Sequence, residues 1–582
     1  MTHIEIREKF KKFMESTNHA WISSTSVVPE NDPSILFVTA GMQPLVPYLM
    51  GEKHPQGKRL ANIQKCIRTQ DIEEVGDNTH NTFFEMIGFW SLGEYFKEDS
   101  IKQSYTFLTQ ELGLDHDRIY VTCFEGDDNA PKDEESAKIW EGLGISKDRI
   151  YFLGAESNWW SPGDNGPCGP DSEMFYDMTD GGLGDMSHDE FLAADTNQHV
   201  VEVGNNVFMS YLKKDGKVIG ELPSKNVDMG SGFERLVAIA QGKKSVFETD
   251  LFKSTIDLII EGANSDLDST SKEVRIIADH IRTSIILISD GVLPSNKDQG
   301  YILRRLLRRV IRIADKIGYS DFSLLVKSVS DTYGDTYDNL KDVEKILSII
   351  SSEEEKFRKT LSTGIREFEK KTKDGNLSGT DAFLLFSSYG FPIEVTQELA
   401  QEKGIEIDME GYATEFNMHQ ELSRKGAEQK FKGGLAGNSE METKLHTATH
   451  LLHAALHEIL GEHATQRGSN ITADRLRFDF NHDSKMTDEE KEAVNDWVND
   501  KIEKDLPVIL EEMNIKEAKS SGATGLFGDK YGDIVTVYSI GDVSKELCGG
   551  PHVTRTGELG KFRIKKEEAS SAGVRRIKAV LE

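Results

Sequence analysis

Apolar residues recur at helical spacing through much of the chain between residues 244 and 425. The clearest repeat lies in KDQGYILRRLLRRVIRIADKIG, where apolar residues fall at i, i+3, i+4, i+7 and i+8: Leu303, Leu306, Leu307, Val310 and Ile311. This spacing places them on one face of a helix. The other faces carry Arg304, Arg305, Arg308, Arg309 and Arg312. We predict that the apolar face packs and the arginines contact an RNA backbone, although a solvated charged face is the usual explanation.

The segment from Gln64 to Lys97 has a different pattern, which predicts a β-hairpin. A β-prone CIRT stretch is followed by a turn-rich acidic loop and then by an aromatic-rich second strand. The hairpin would present Arg68, whose planar guanidinium can bind a phosphate at two points, beside rings that can stack on a base. These rings belong to Phe83, Phe84 and Phe89. An ordinary buried hairpin with a surface arginine is the alternative.

Two glycines in VDMGSGFERLVAIA indicate a tight passage from a strand into a helix. Gly230 and Gly232 precede the helix, and Arg235 falls in its first turn, a geometry suited to phosphate. Residues 34–42, SILFVTAGM, are β-prone and predict a strand. Residues 158–177 contain two tryptophans followed by PGDNGPCGP, which predicts an ordered loop rather than a helix or a regular strand.

The composition limits the classes of protein to consider. The 582 residues are 37% apolar, and this length predicts several domains with sizeable cores. The net charge of −30 argues against indiscriminate nucleic-acid binding, so RNA would need a local basic patch. We find no signal peptide and no apolar run as long as a membrane span. The four cysteines lie far apart, as in a reducing compartment, and we expect a cytoplasmic protein without a membrane partner.

A second candidate site combines a histidine-rich helix with a CGGPH segment farther along the chain. The helix KLHTATHLLHAALHEIL carries His446, His450, His453 and His457 near one another. Such a stripe alone is more often explained by surface or core histidines. An HxxxH pair together with Cys548 and His552, however, supplies four nitrogen and sulfur ligands, which is the number that zinc prefers.

Three stretches of the chain resemble the class II aminoacyl-tRNA synthetases and, among them, the alanyl-tRNA synthetase family: TFFEMIGFWSLGEYFK, NWWSPGDNGPCGPDSEMFYD and VDMGSGFER. The resemblance spans nearly the whole chain. It implies an α+β multidomain fold, in which an antiparallel sheet flanked by helices is followed by a helical domain and an α+β zinc-containing domain. The implied parts are a catalytic domain (1–243), a tRNA-recognition domain (244–425), a linker (426–442) and an editing, or deacylase, domain (443–582).

The resemblance also implies roles for residues of the first two domains. Arg68 would contact the α-phosphate of ATP and Arg235 the γ-phosphate, and both would be catalytic. The other implied ATP-binding residues are Phe84, Glu85, Gly230 and Gly232. The alanine pocket would be formed by Trp160, Asn205, Asp228 and Gly230, with Asp228 binding the α-amino group. In the helical domain, Asn296 would read a G·U pair in the tRNA acceptor stem.

For the last domain, the resemblance implies four zinc ligands: His446, His450, Cys548 and His552. It also implies two editing-site residues, Gln466 and Thr447. Four protein ligands would close a tetrahedral zinc, so the metal would position the tRNA end rather than activate water, unless one ligand is released. Pro551 stands where the family motif has a threonine.

The sequence departs from the family pattern in several places. Ser387 stands where the family has an aspartate that contacts the acceptor stem, and Glu394 is a candidate substitute. Residues 78–81 replace the family's arginine-histidine pair before TFFEM. By comparison with the family, we expect the chain to lack a β-rich domain at 423–444 and the C-terminal domain that supports dimers in the family. We therefore predict a monomer.

The function implied by the resemblance is ligation of L-alanine to tRNA(Ala) through an alanyl-adenylate formed from magnesium-bound ATP. Hydrolytic editing of seryl- and glycyl-tRNA(Ala) is also implied, because differences of one methyl or hydroxyl group are worth only ~1 to 3 kcal/mol. Two alternatives stay open: a trans-acting deacylase, or a non-catalytic tRNA-binding relative. The presence of Arg68, Arg235 and Asp228 argues against both.

Overall fold

The computed structural model describes residues 1–29, 35–264, 266–373, 375–430, 439–523, 534–571 and 573–582. Its contacts divide into two compact units. The first comprises Met1–Lys371 and Leu385–Leu399, and the second Thr372–Leu384 and Ala400–Glu582. The domain boundaries given above remain a prediction. Of the predicted linker, 431–438 lies outside the described residues, while 426–430 ends a helix and the next helix begins at Glu440.

The first unit is built on a nine-stranded, mostly antiparallel sheet. Its strands are β1 (Ala20–Trp21), β2 (Arg59–Ile67), β3 (Phe83–Ser91), β4 (Ile119–Phe124), β5 (Ile150–Leu153), β6 (Trp159–Trp160), β7 (Gly166–Asp177), β8 (Val200–Lys214) and β9 (Lys217–Gly232). Eight of them follow the order β1-β2-β3-β9-β8-β7-β4-β5, and β6 pairs with β7. This sheet confirms the predicted antiparallel sheet, including the β2–β3 hairpin around Arg68.

Helices flank the sheet in the first part of the chain and then follow one another without strands. The flanking helices are α1 (His3–Ser16), α2 (Val46–Leu49), α3 (Lys97–Thr106), α4 (Glu134–Gly142), α5 (Ala155–Asn158), α6 (His188–Thr196) and α7 (Phe233–Ala240). The later ones are α8 (Lys253–Gly262), α9 (Lys272–Ser289), α10 (Asp298–Ile317), α11 (Phe322–Tyr333) and α12 (Val343–Lys371). The helical character expected from residue 244 onward is confirmed.

The apolar repeat in α10 packs as its spacing predicts. Its five members are at most 1% exposed: Leu303, Leu306, Leu307, Val310 and Ile311. The helix ends at Gly318, which has φ +78° and lies in the left-handed region that glycine adopts without strain.

Two local predictions were wrong. Residues 35–42 form no strand, although the Val38 carbonyl accepts a hydrogen bond from the Ile67 N–H at 2.8 Å. The expected loop at 158–177 contains strands β6 and β7 instead. A register shift between Cys168 and Asp171 lets β7 pair with β8 despite its glycines and prolines, so the chain bends there without leaving the sheet.

The second unit contains two larger sheets. Helices α13 (Gly379–Tyr389) and α14 (Ile393–Lys403) belong in part to each unit, and α15 (Met409–Lys430), α16 (Glu440–Leu460), α17 (Asp488–Glu503) and α18 (Ile515–Ser520) belong to the second. The strands are β10 (Asn376–Leu377), β11 (Glu406–Ile407), β12 (Gln466–Thr472), β13 (Arg475–Asn481), β14 (Val508–Asn514), β15 (Ile534–Ile540), β16 (Ser544–Leu547), β17 (Phe562–Ser571) and β18 (Val574–Leu581).

Pairing divides most of these strands into the orders β12-β13-β18-β17 and β14-β15-β16, while β10 pairs with β11. Leu451 and Leu452 of α16 share a buried core with Phe478 of β13 and Ile577 of β18. The histidine helix is therefore fixed by its apolar face, which leaves its histidines available for another partner. Among the described residues, no helix combines the length and the apolar character needed to cross a membrane.

Candidate active site and metal centre

Arg68 follows β2 at the point where the hairpin opens into its loop. Its N–H donates to the Thr82 carbonyl at 3.0 Å, and its Nε donates to the Thr39 carbonyl at 3.3 Å. The guanidinium carbon lies 4.9 Å from the centre of the Phe84 ring, within the range of a cation–π contact. The strand register therefore aims a cation and an aromatic face at the same space, as predicted.

The strand-to-helix passage brings Arg235 to this space from the other side. β9 ends at Gly232 and α7 begins at Phe233. Gly230 pairs with Gly88 of β3 and Asn205 of β8, so the passage lies beside the hairpin. Arg235 Nη1 lies 3.2 Å from a carboxylate oxygen of Glu202.

These elements enclose a cavity of about 290 Å³. Eight of the nine residues predicted to bind ATP or alanine line it: Arg68, Phe84, Trp160, Asn205, Asp228, Gly230, Gly232 and Arg235. Residues that the sequence reasoning did not assign also line it, among them Ala40, Asp71, Met86, Glu173, Glu202 and Val207. No spacing within the chain links these residues, because the sheet brings them together from separate strands and loops.

Glu85 is the exception and corrects the prediction for that residue. Side chains alternate along a strand, so Phe84 and Met86 face the cavity while Glu85 points to the opposite face of β3. There it is fully buried, pairs with Arg7 and accepts a hydrogen bond from the Tyr337 hydroxyl. Its role in this structure is to fix α1 and the segment after α11 against the sheet. The alternation along β3 was the signal that could have shown this.

Two carboxyl groups at the cavity have raised pKa values. Asp228 is 7% exposed and its Oδ1 accepts a hydrogen bond from Trp90 Nε1 at 2.7 Å. Burial raises the pKa of Asp228 to about 7, and the Trp90 hydrogen bond only partly opposes this. Burial and the neighbouring Glu202 raise the pKa of Glu173 as well. Both carboxylates would be stabilised by a cation bound in the cavity.

The loop between β2 and β3 is held by helix α9. Arg275 Nη1 donates to the Asp77 carbonyl at 2.7 Å, and Asp279 Oδ1 accepts the Thr82 N–H at 3.0 Å. Within the loop, a hydrogen bond to the Asp77 carboxylate raises the pKa of His80, which lines the cavity. His80 thus supplies an imidazole in the segment that lacks the family's arginine-histidine pair.

The second unit brings the four proposed metal ligands together. The ligand atoms of His446, His450, Cys548 and His552 all lie within 4.8 Å of one another. Cys548 Sγ is 3.4 Å from Nε2 of both His446 and His552, close to the edge of about 3.6 Å expected for a tetrahedral zinc. The first two ligands come from adjacent turns of α16, and the other two follow β16.

The surroundings of these histidines also fit a metal. Nδ1 of His446 donates to the Pro551 carbonyl at 3.1 Å, and Nδ1 of His552 lies 3.0 Å from the Thr447 hydroxyl. Each contact leaves Nε2 available for a ligand bond. Because Pro551 acts through its carbonyl, replacement of the family's threonine preserves this contact. Through its hydroxyl, Thr447 supports the ring of His552. The other predicted editing residue, Gln466, lies at the start of β12, with its Nε2 3.2 Å from the Ser469 hydroxyl.

The surroundings of Cys548 favour the negatively charged thiolate form of its side chain. Burial alone would raise the pKa of its thiol, but hydrogen bonds from His446, His450 and His552 lower it to about 3. The thiolate is the form that binds a metal.

Comparison with known proteins gives the family. A family model described as tRNA synthetases class II (A) matches residues 5–495, and one described as Threonyl and Alanyl tRNA synthetase second additional domain matches residues 535–578. The alanine–tRNA ligase of Borrelia hermsii is 50% identical over 594 residues, covering 99% of both chains. That of Treponema denticola is 52% identical, covering 99% of this chain and 98% of the relative. The chain belongs to the alanyl-tRNA synthetase family.

A more distant alanine–tRNA ligase, from Dehalococcoides mccartyi, is 35% identical and covers 99% of this chain, which spans 79% of that relative. These findings confirm the resemblance to alanyl-tRNA synthetases and the predicted fold class, a class II core followed by an α+β domain. The first match spans the first unit and continues into the second as far as residue 495, and the other match lies within the second unit.

The predicted tRNA-binding arginines do not form a free surface. All five pair with carboxylates from distant segments, and their side chains are only 9–22% exposed. The pairs are Arg304 and Arg308 with Glu353, Arg305 with Glu73 and Glu394, Arg309 with Glu73 and Glu398, and Arg312 with Glu398. Contact between these arginines and tRNA would require an exchange of partners and stays a prediction.

Asn296 is the exposed member of the predicted tRNA-binding set. It lies before α10, and its Oδ1 accepts a hydrogen bond from Arg304. Ser387 is also exposed. Glu394 accepts a hydrogen bond from the Tyr301 hydroxyl at 3.0 Å and lies 3.5 Å from Arg305, so it is engaged within the helical region.

Proposed function

We propose that the chain is an alanine–tRNA ligase whose aminoacylation site is the cavity between β3, β8, β9 and α7. One observation supports this proposal above all: the side chains of Arg68, Arg235, Asp228 and Trp160 line the same cavity. Two guanidinium groups suit a triphosphate, and a buried carboxylate beside an aromatic wall suits a small amino acid with an α-ammonium group. ATP would enter with its magnesium ion as part of the substrate.

The reaction has two steps. An oxygen of the alanine carboxylate attacks the α-phosphorus of ATP, the bond to the bridging oxygen breaks, and pyrophosphate leaves with the electron pair. A ribose hydroxyl at the tRNA end then attacks the carbonyl carbon of the adenylate, and AMP leaves. Arg68 and Arg235 would neutralise the charge that develops on the phosphates, and Asp228 would hold the ammonium group so that the carboxylate is in line.

The second unit would edit the product. Trp160, Met86 and Val207 line the cavity and would exclude larger side chains by contact, but glycine and serine differ from alanine by only ~1 to 3 kcal/mol of binding. We place hydrolysis of seryl- and glycyl-tRNA near His446, His450, Cys548 and His552, with Gln466 and Thr447 as the predicted editing residues. These four residues would hold one zinc ion. With four protein ligands, that ion would supply structural order rather than an activated water.

The first test is ATP–pyrophosphate exchange with purified protein. Exchange should be strongest with alanine, weaker with serine and glycine, and independent of tRNA. Arg68→Ala should reduce alanine-dependent exchange at least about a hundredfold. Arg563→Ala, at a side chain that is 61% exposed, is the matched control and should retain it. Normal exchange by Arg68→Ala would remove Arg68 from the mechanism.

A second arm tests editing and the remaining predictions. Hydrolysis of seryl-tRNA(Ala) without any exchange would favour the deacylase alternative, and binding of tRNA without either activity would favour a non-catalytic relative.

We further propose a cytoplasmic location, where tRNA charging supplies protein synthesis. The predicted monomer is checked by measuring the mass in solution, where twice 65.2 kDa would contradict it.

A further inference from the structure

Glu546 lies between the proposed metal ligand His450 and His453, a histidine to which the family resemblance assigns no role. Its Oε1 accepts a hydrogen bond from His453 Nδ1 at 3.0 Å. Its Oε2 lies 3.7 Å from Nδ1 of His450, an ion-pair distance. The Ser544 hydroxyl donates to Oε1 at 3.3 Å. The glutamate side chain is 13% exposed, and the side chains of His450 and His453 are 6% and 11% exposed.

His450 is the proposed histidine ligand whose Nδ1 lacks a hydrogen bond in the described structure. This atom is buried and has no hydrogen-bond partner, whereas Nδ1 of His446 meets the Pro551 carbonyl and Nδ1 of His552 meets the Thr447 hydroxyl. A buried imidazole N–H without an acceptor is costly. The carboxylate of Glu546 is the acceptor aimed at it.

We propose that Glu546 is a positioning residue of the metal centre, which holds His450 in the tautomer that ligates through Nε2, and that His453 anchors Glu546. This inference rests on the proposed zinc centre. It gives His453 a function and completes a set in which each histidine ligand has its own outer partner: a backbone carbonyl, a hydroxyl and a carboxylate.

The carboxylate should contribute more than the other two partners. A carboxylate accepts the Nδ1 proton of a ligating histidine, fixes the orientation of the ring and increases the basicity of Nε2. It is also the one partner with a full negative charge, inside a group of side chains that lies largely out of water. His453 matters because only it and Ser544 hold Oε1 in place in the described contacts.

The test is zinc affinity of the full-length protein, measured by competition with a chromophoric chelator. Glu546→Gln keeps the size of the side chain and removes its charge, and it should raise the dissociation constant for zinc about 10- to 100-fold. Glu458→Gln, at an exposed position of α16, the helix that carries His450, is the control and should bind zinc like the unmodified protein. The thermal unfolding transition of the second unit, followed by circular dichroism in parallel, shows whether each variant is folded there.

A pair of His453 variants separates anchoring from packing. His453→Asn keeps an N–H donor near the position of Nδ1 and should retain most of the affinity for zinc. His453→Leu removes the donor and should weaken zinc binding. Equal affinity of Glu546→Gln and the unmodified protein would overturn the inference while leaving the zinc centre in place. Absence of zinc binding by the unmodified protein would overturn the zinc centre itself, and with it this inference.

Discussion

Asp228 shows how one buried side chain connects the sheet with the proposed chemistry. It lies on β9, opposite Trp90 of β3, and the indole N–H holds its Oδ1 at 2.7 Å. An ionised carboxylate is disfavoured at this depth, so the pKa is raised to about 7. A bound α-ammonium group would supply the missing counter-charge, and ionisation of Asp228 and binding of alanine should therefore favour each other.

This coupling predicts how alanine use depends on pH. As the pH falls through about 7, Asp228 gains a proton in the free protein and loses the charge that attracts the ammonium group. We expect kcat/KM for alanine in pyrophosphate exchange to fall about tenfold per pH unit below that value, because one proton is involved. Asp228→Asn should give low values without this dependence. An equally steep fall in Asp228→Asn would assign the proton to another group.

Most residues of the candidate site could be predicted from the sequence, because they lie in compact motifs. Motifs in four separate stretches, around Arg68, Trp160, Asn205 and Arg235, identified eight cavity residues. They failed at Glu85 because a motif gives position but not the face of a strand. Glu173 and Glu202 were not found, since they reach the cavity only through the pairing of β7 with β8.

Helix α10 shows what a pattern within one element can and cannot predict. The apolar spacing predicted its buried face, because that spacing is a property of the helix alone. The arginine face was predicted to contact an RNA backbone. Its partners Glu73, Glu353 and Glu398 come from other segments, and no local pattern could place them there. Strand β7 was missed for a similar reason, since its neighbours allow glycines and prolines that argue against a strand in isolation.

The arrangement predicts that Arg309 serves stability rather than RNA binding. Its Nη1 donates to the Ile72 carbonyl at 2.8 Å, and its Nε lies 2.9 Å from Glu398. Arg309→Met should lower the free energy of unfolding by about 2 kcal/mol, because it leaves the carbonyl of the buried Ile72 without this donor and removes one of the two arginines that pair with Glu398. Urea denaturation measures this.

Lys316→Met is a matched control on the same helix, because its side chain is 54% exposed and its pairing with Glu273 should contribute less than about 1 kcal/mol. The salt dependence of tRNA binding by Arg309→Met should equal that of the unmodified protein. A decrease of about one in the slope of log affinity against log salt would instead show that Arg309 meets a phosphate.

At the scale of the whole molecule, two units with separate cores carry the two sites. The sequence predicted several domains from length and an α+β zinc-containing domain from resemblance, and the fold class is confirmed. Where the units divide depends on contacts over long distances in sequence, since Leu385–Leu399 clusters with the first unit and Thr372–Leu384 with the second. The net charge of −30 does not indicate this division. Because a negative protein repels phosphate at long range, tRNA binding would need a local surface, and Asn296 stays the predicted contact.

Because the two sites lie in separate units, we predict that removal of the metal affects the histidine-cysteine site and leaves the cavity of the first unit intact. The proposed ligands join α16 to the segment after β16, both in the second unit, whereas every residue lining the cavity belongs to the first. Binding of a structural metal contributes directly to folding free energy. We therefore expect chelation to lower the temperature of one unfolding transition, that of the second unit, and to leave alanine-dependent exchange intact once the chelator is removed and magnesium is restored.

Added zinc should reverse the shift, and Cys548→Ser should resemble the metal-free protein without any chelator. Loss of exchange in parallel with zinc, or an unfolding curve that ignores zinc, would contradict this division of labour.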